Sequence, residues 1–161
     1  MAYSAWVFEM KIQLFISLVI VILFLMISID DSHANPVRTT SISDICSTKT
    51  SSVRSVSERT KRDIYRRDGV PGGNHTGSCD GPGGCEVDHI LPLELGSSND
   101  ADNLKIQPYF GPCNAHHKDK LENRLHRLVC AGEIQVKEAQ DLIYNHWIDG
   151  YKKFIDAAGC E

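Results

Sequence analysis

The chain has no surplus of positive charge, no cysteines spaced CxxC, no internal repeat, and only one long apolar run. Each absence narrows the possibilities. With 17 basic against 21 acidic side chains, the net charge is −4 and the pI is near 5.9. Any polyanion must therefore be held by a local basic face and not by bulk charge. Without CxxC knuckles, a structural zinc site built from Cys79, Cys85, Cys113 and a histidine lacks its usual spacing. Without a repeat, 161 residues leave room for one domain and nothing suggests a second.

The single apolar run is Ile12 to Ile29, interrupted only by Gln13, Ser17 and Ser28. Lys11 precedes it and Ser32-His33-Ala34 follows it, which places small residues at −3 and −1 for signal-peptidase cleavage after Ala34. The run also reaches the ~18 residues at which a membrane span becomes possible, so residues 12–29 retained as an anchor is the alternative. Both readings put the domain outside the cytoplasm, secreted or periplasmic in the first case and membrane-tethered in the second. Residues 1–34 are thus read as signal peptide or anchor, 35–56 as an extended lead-in, and 57–161 as the functional domain.

What is present agrees with export. The six cysteines, Cys46, Cys79, Cys85, Cys113, Cys130 and Cys160, all follow the cleavage point. An even number in a small exported domain predicts disulfides that compensate for a limited core, with the pairing left open. Beyond residue 34 the chain keeps 16 basic and 18 acidic side chains, a balance of −2. Lys49 to Arg67 concentrates seven bases against two acids, Glu58 and Asp63. That stretch is either a phosphate-binding face or a solvated helix.

Ser57 caps a predicted helix that runs to about Arg67 and stops at Gly69, with Arg66 and Arg67 well placed at its C-terminal end. Val70 to Gly84, rich in Gly, Pro, Asn and Ser, reads as a loop held by Cys79 and Cys85. Glu86 to Leu91 and Leu104 to Gln107 read as short strands ended by Pro92 and Pro108. A helix from Ala115 to Cys130 buries Leu121, Leu125, Leu128 and Val129. Gly132 ends it, and a last helix from about Lys137 buries Ala139, Leu142, Ile143 and Trp147. Strands followed by packed helices make an α+β fold.

Between the strands lies the chemistry. Hydrolysis of a phosphodiester needs an activated water and neutralised phosphate charge. In Asp88-His89, adjacent strand positions face opposite ways, so one side chain can hold a metal while the other reaches a water. A histidine titrating near neutrality suits the second task. Asn103 is placed to brace the hairpin by bonds to the backbone near His89. His126 lies about two turns beyond the histidine pair and is read as non-catalytic.

Asp88-His89, Pro92-Leu93, Gly96 and Asn103-Leu104 resemble, in order and spacing, the first two signature elements of the HNH nucleases. NAHHKDKLENRLHRLVCAGEI, AQDLIYNHW and VRSVSERTKRDIY resemble a subgroup of small exported bacterial HNH-like proteins, so the likeness spans most of residues 45–150. It implies a ββα-metal hairpin-plus-helix core with additional packed helices and one divalent ion, Mg²⁺, Mn²⁺ or Zn²⁺. It further implies His89 as general base, Asn103 as orienting residue and Asp88 as metal ligand. The third element departs from the simplest pattern. His116, His117 and Asn114 are the candidates for the ligand of that third element, in that order, and helical geometry turns the two histidines about 100° apart. Lys118-Asp119 and Glu122 open the metal-site helix, with Glu122 a candidate partner to a ligating histidine. Lys118 and Arg124, before Lys120 and Arg127, are the candidate phosphate contacts. The expected activity is hydrolysis of nucleic acid, DNA before RNA, with any selectivity coming from loops because no helix-turn-helix or zinc-finger reader is present. The alternative is a disulfide-stapled binding module on the same scaffold without catalysis.

Overall fold

The computed structural model describes residues 35–70 and 79–160. The predicted signal or anchor segment lies outside the described residues, as do residues 71–78 of the Gly/Pro-rich loop. Residues 34–161 form one compact unit of mixed helix and sheet.

The lead-in departs from expectation. Of residues 35–56, expected to be extended, only the start is so: Val37 bridges to Ser97, and the amides of Arg38 and Thr39 donate to the Gly96 carbonyl. Two short helices follow, α1 (Ile42–Ser47) and α2 (Thr50–Val53). The serines of this stretch supply local bonds, with Ser41 Oγ accepting from the Asp44 amide and Ser47 Oγ donating to the Ser43 carbonyl. Ile45 is buried and fixes which face of α1 turns inward.

Helix α3 (Glu58–Arg67) forms where the Ser57 cap predicts it, with the Thr60 amide 3.0 Å from Ser57 Oγ. Strands β1 (Cys85–His89) and β2 (Leu104–Pro108) pair antiparallel, with Asp88 opposite Lys105 and His89 opposite Leu104. Strand β1 ends two residues earlier than expected, because the chain turns at Pro92 into a 3-10 turn over Leu93–Leu95. Helices α4 (Ala115–Cys130) and α5 (Val136–Phe154) then pack as a pair, α5 being kinked at His146. Leu121, Leu125, Val129, Ala139 and Ile143 are their shared core, with Trp147 partly buried against it.

The hairpin is gripped from two sides. From α3, Tyr65 Oη donates to the Cys85 carbonyl and Arg67 donates to the carbonyls of Ala101 and Leu104, while Asp68 accepts from the Ile106 amide. From α4, Lys118 reaches under β1. Disulfides join Cys46 to Cys130, Cys79 to Cys85 and Cys113 to Cys160. That leaves no thiolate for zinc at Cys79, Cys85 or Cys113, and it is consistent with an oxidising extracellular compartment. Among the described residues, no helix is long and apolar enough to cross a membrane.

Candidate functional site

His89 closes β1 and is only 2% exposed. Its Nε2 lies 3.3 Å from Oδ1 of Asn99. The orientation of that amide is fixed from the other side: Asn99 Nδ2 donates to the Val53 carbonyl at 2.8 Å, and Oδ1 accepts from the Ser55 amide at 3.0 Å. An acceptor facing Nε2 assigns the proton of the neutral ring to Nε2 and leaves Nδ1 as the basic nitrogen. Burial lowers the His89 pKa below 6.5, while the Asn99 contact and the Asp88 charge act the other way. The ring is therefore neutral at pH 7, the form a general base needs.

Asn103 is buried and has every polar atom occupied. Its Oδ1 accepts from the Leu91 amide at 2.9 Å, and its Nδ2 donates to the carbonyls of Leu91 and Ser98 at 3.0 and 3.1 Å. These bonds hold the backbone two residues beyond His89, so Asn103 orients the chain and not the imidazole. Contact with the imidazole belongs to Asn99, in the connection between the strands, where nothing local in the sequence marks it out.

Asp88 faces the opposite side of the strand, where it meets a lysine. Lys118 is 1% exposed, and its Nζ lies 2.6 Å from Asp88 Oδ2 and 2.7 Å from the His89 carbonyl, with Glu122 Oε1 as a third acceptor. Lys118 is thus not the phosphate contact expected of it. All three of its N–H groups are used internally. Its partners raise its pKa although burial opposes them. For Glu122 burial is the largest influence and lifts the carboxyl to about 8; the Lys118 ammonium opposes that shift and the Asp88 charge adds to it. The ammonium thus sits between two carboxyls, Asp88 and Glu122, which compensate its burial.

The histidine candidates go elsewhere. His116 is exposed and stacks on Tyr109, ring centroids 5.1 Å apart, while the Tyr109 hydroxyl donates to Glu86. His117 Nδ1 lies 3.0 Å from Asn114 Oδ1, and its ring meets Tyr151 edge-on. Among the described residues, one group of three His, Cys, Asp or Glu side chains has its ligand atoms within 4.8 Å, and it is Cys46, His126 and Cys130. Two of those three are joined in a disulfide. Asp88 is engaged with Lys118, while His116 and His117 contact Tyr109, Asn114 and Tyr151. Arg124 sits half-buried on α4.

On the His89 side, a cleft of about 330 Å³ is lined by His89, Val87, Glu86, Tyr109, Arg54 and Lys61 among others. Arg54 and Lys61 come from the basic stretch before and within α3. Lys61 also pairs with Glu58; elsewhere in that stretch Arg66 pairs with Asp63 and Arg67 holds β2. The cleft thus brings two cations to the wall that carries the neutral imidazole.

No protein-family model matches the chain, and no curated protein or solved structure matches it either.

Proposed function

We propose that this protein is an exported HNH-type endonuclease, a phosphodiester hydrolase acting on nucleic acid, DNA before RNA. The strand pair and α4 would be its ββα core. One observation carries the reading: a neutral histidine, with Nε2 held by a fixed amide, lines a cleft that also contains Arg54 and Lys61. In that cleft Nδ1 of His89 takes a proton from water as the water oxygen bonds to phosphorus. The P–O bond to the leaving sugar breaks, and the departing oxygen takes its proton from solvent. Arg54 and Lys61 offset the charge that grows on the phosphate oxygens. The divalent ion that the HNH resemblance implies, with Asp88 and His116 or His117 as ligands, would have to share Asp88 with Lys118. No step above is routed through it.

The near-complete burial of His89 favours one other reading, a disulfide-stapled module that binds its partner without catalysis. Plasmid cleavage by purified, oxidised protein separates the two. Nicking that falls about 10²–10⁴-fold in His89→Ala supports the enzyme. Full activity in that variant would remove His89 as the base, and no cleavage by folded wild-type protein with or without Mg²⁺, Mn²⁺ or Zn²⁺ would favour the binding module.

A further inference from the structure

We propose that the Lys118 ammonium is the resident cation of this site, taking the place of a divalent ion at Asp88 and positioning the strand end that carries His89. The position is built for an ammonium. Three N–H groups meet three oxygens, from Asp88, Glu122 and the backbone of His89, and nothing of Lys118 remains at the surface. A lysine is almost never buried this completely unless its charge is matched. Here the matching oxygens are the ones a hard divalent ion would need. An ion taking Oδ2 of Asp88 would have to expel the ammonium and leave it charged and unpaired inside the protein, which is strongly unfavourable. His116 and His117, committed to Tyr109 and to Asn114 and Tyr151, supply no compensating ligand.

Lys118 also does something a metal held by side chains would not. By donating to the His89 carbonyl, it ties α4 to the backbone of the base itself. Glu122, one turn further along α4, holds the ammonium from below. Lys118 is thus a positioning residue that acts through the His89 backbone, and the site needs no bound ion to be assembled.

The consequence for catalysis rests on the nuclease reading, whereas the consequence for metal binding does not. Mn²⁺ binding is read by electron paramagnetic resonance on oxidised wild-type protein and on Asp88→Asn and Glu122→Gln, beside plasmid cleavage in EDTA. Wild-type protein is expected to take up no stoichiometric Mn²⁺, to match both variants in this, and to keep its cleavage in EDTA. One Mn²⁺ per chain that is lost in either variant would overturn the inference, as would cleavage abolished by EDTA and restored by Mn²⁺. Protein that neither binds Mn²⁺ nor cleaves under any condition upholds the Lys118 assignment and sinks the nuclease reading instead. In Lys118→Met the two carboxyls lose their cation. If this variant folds, it is expected to gain Mn²⁺ binding at least 10-fold over wild type, and no gain would count against a shared position.

Discussion

At residue scale the proposed chemistry turns on the state of His89, which can be read from pH. Its folded pKa lies below 6.5 because burial disfavours the imidazolium. Cleavage efficiency should then climb with pH through an apparent pKa below 6.5 and be level at neutrality. The same shift makes the unfolded chain bind the proton more readily. Stability contributed by the neutral ring is therefore present above about 6.5 and is lost as pH falls toward the folded value. In Asn99→Ala the hydrogen bond that raises this pKa is gone, so the limb should move to still lower pH. A limb at or above 6.5 in the wild type would contradict the dominance of burial, and one moved upward in Asn99→Ala would contradict the assignment of Nε2 as donor. Asp88, His89 and Asn103 could be singled out in the sequence because their order is short-range and tied to one hairpin. The partners that set their behaviour could not. A lysine on a helix reads as solvated unless something shows that three oxygens await it, and those of Asp88 and His89 lie about 30 residues upstream of Lys118.

At the scale of elements, the helices with clear signals form where those signals place them, while the segment without them does not. Ser57 and its bond to Thr60 start α3, and the leucines of α4 at helical spacing meet α5 along one face. Residues 35–56 carry no apolar period, and their conformation is settled by distant contacts. Ile45 enters the core, Cys46 is bonded to Cys130, and the amides of Arg38 and Thr39 use the Gly96 carbonyl. Gly96 is the pivot of that arrangement. It sits at φ +84°, and a Cβ there would lie 2.6 Å from the Thr39 carbonyl oxygen. Gln140 of α5 donates to both Thr39 and Leu95, so neither neighbour can retreat freely. We expect Gly96→Ala to cost roughly 1–3 kcal/mol in urea unfolding, from a strained backbone and an overpacked contact together. A loss below about 0.5 kcal/mol, ordinary for a surface substitution, would show that the lead-in does not dock where it is placed.

At the scale of the whole molecule, the three disulfides differ in what they constrain. Cys46–Cys130 closes a separation of 84 residues and fastens the lead-in to the end of α4, whereas Cys113–Cys160 spans 47 and Cys79–Cys85 only 6. If the bridges act chiefly by restricting the unfolded chain, loop length sets their worth. The longest should contribute about 4–5 kcal/mol, the middle one about 4 and the shortest about 2–3. Replacing each pair with serines and measuring thermal unfolding should therefore rank the losses in that order. The Cys46/Cys130 variant carries an added penalty, since α1 and Ile45 lose their tether to the core. The opposite ranking, with Cys79/Cys85 the most costly, would mean that the short bridge holds the start of β1 in place, and that native geometry dominates over chain entropy. Cleavage assayed on the same three variants, below their melting points, then tells stability from chemistry. The Cys46–Cys130 and Cys113–Cys160 pairs lie outside the His89 cleft, so their loss should lower the melting temperature and leave the activity of the folded fraction within about twofold of wild type.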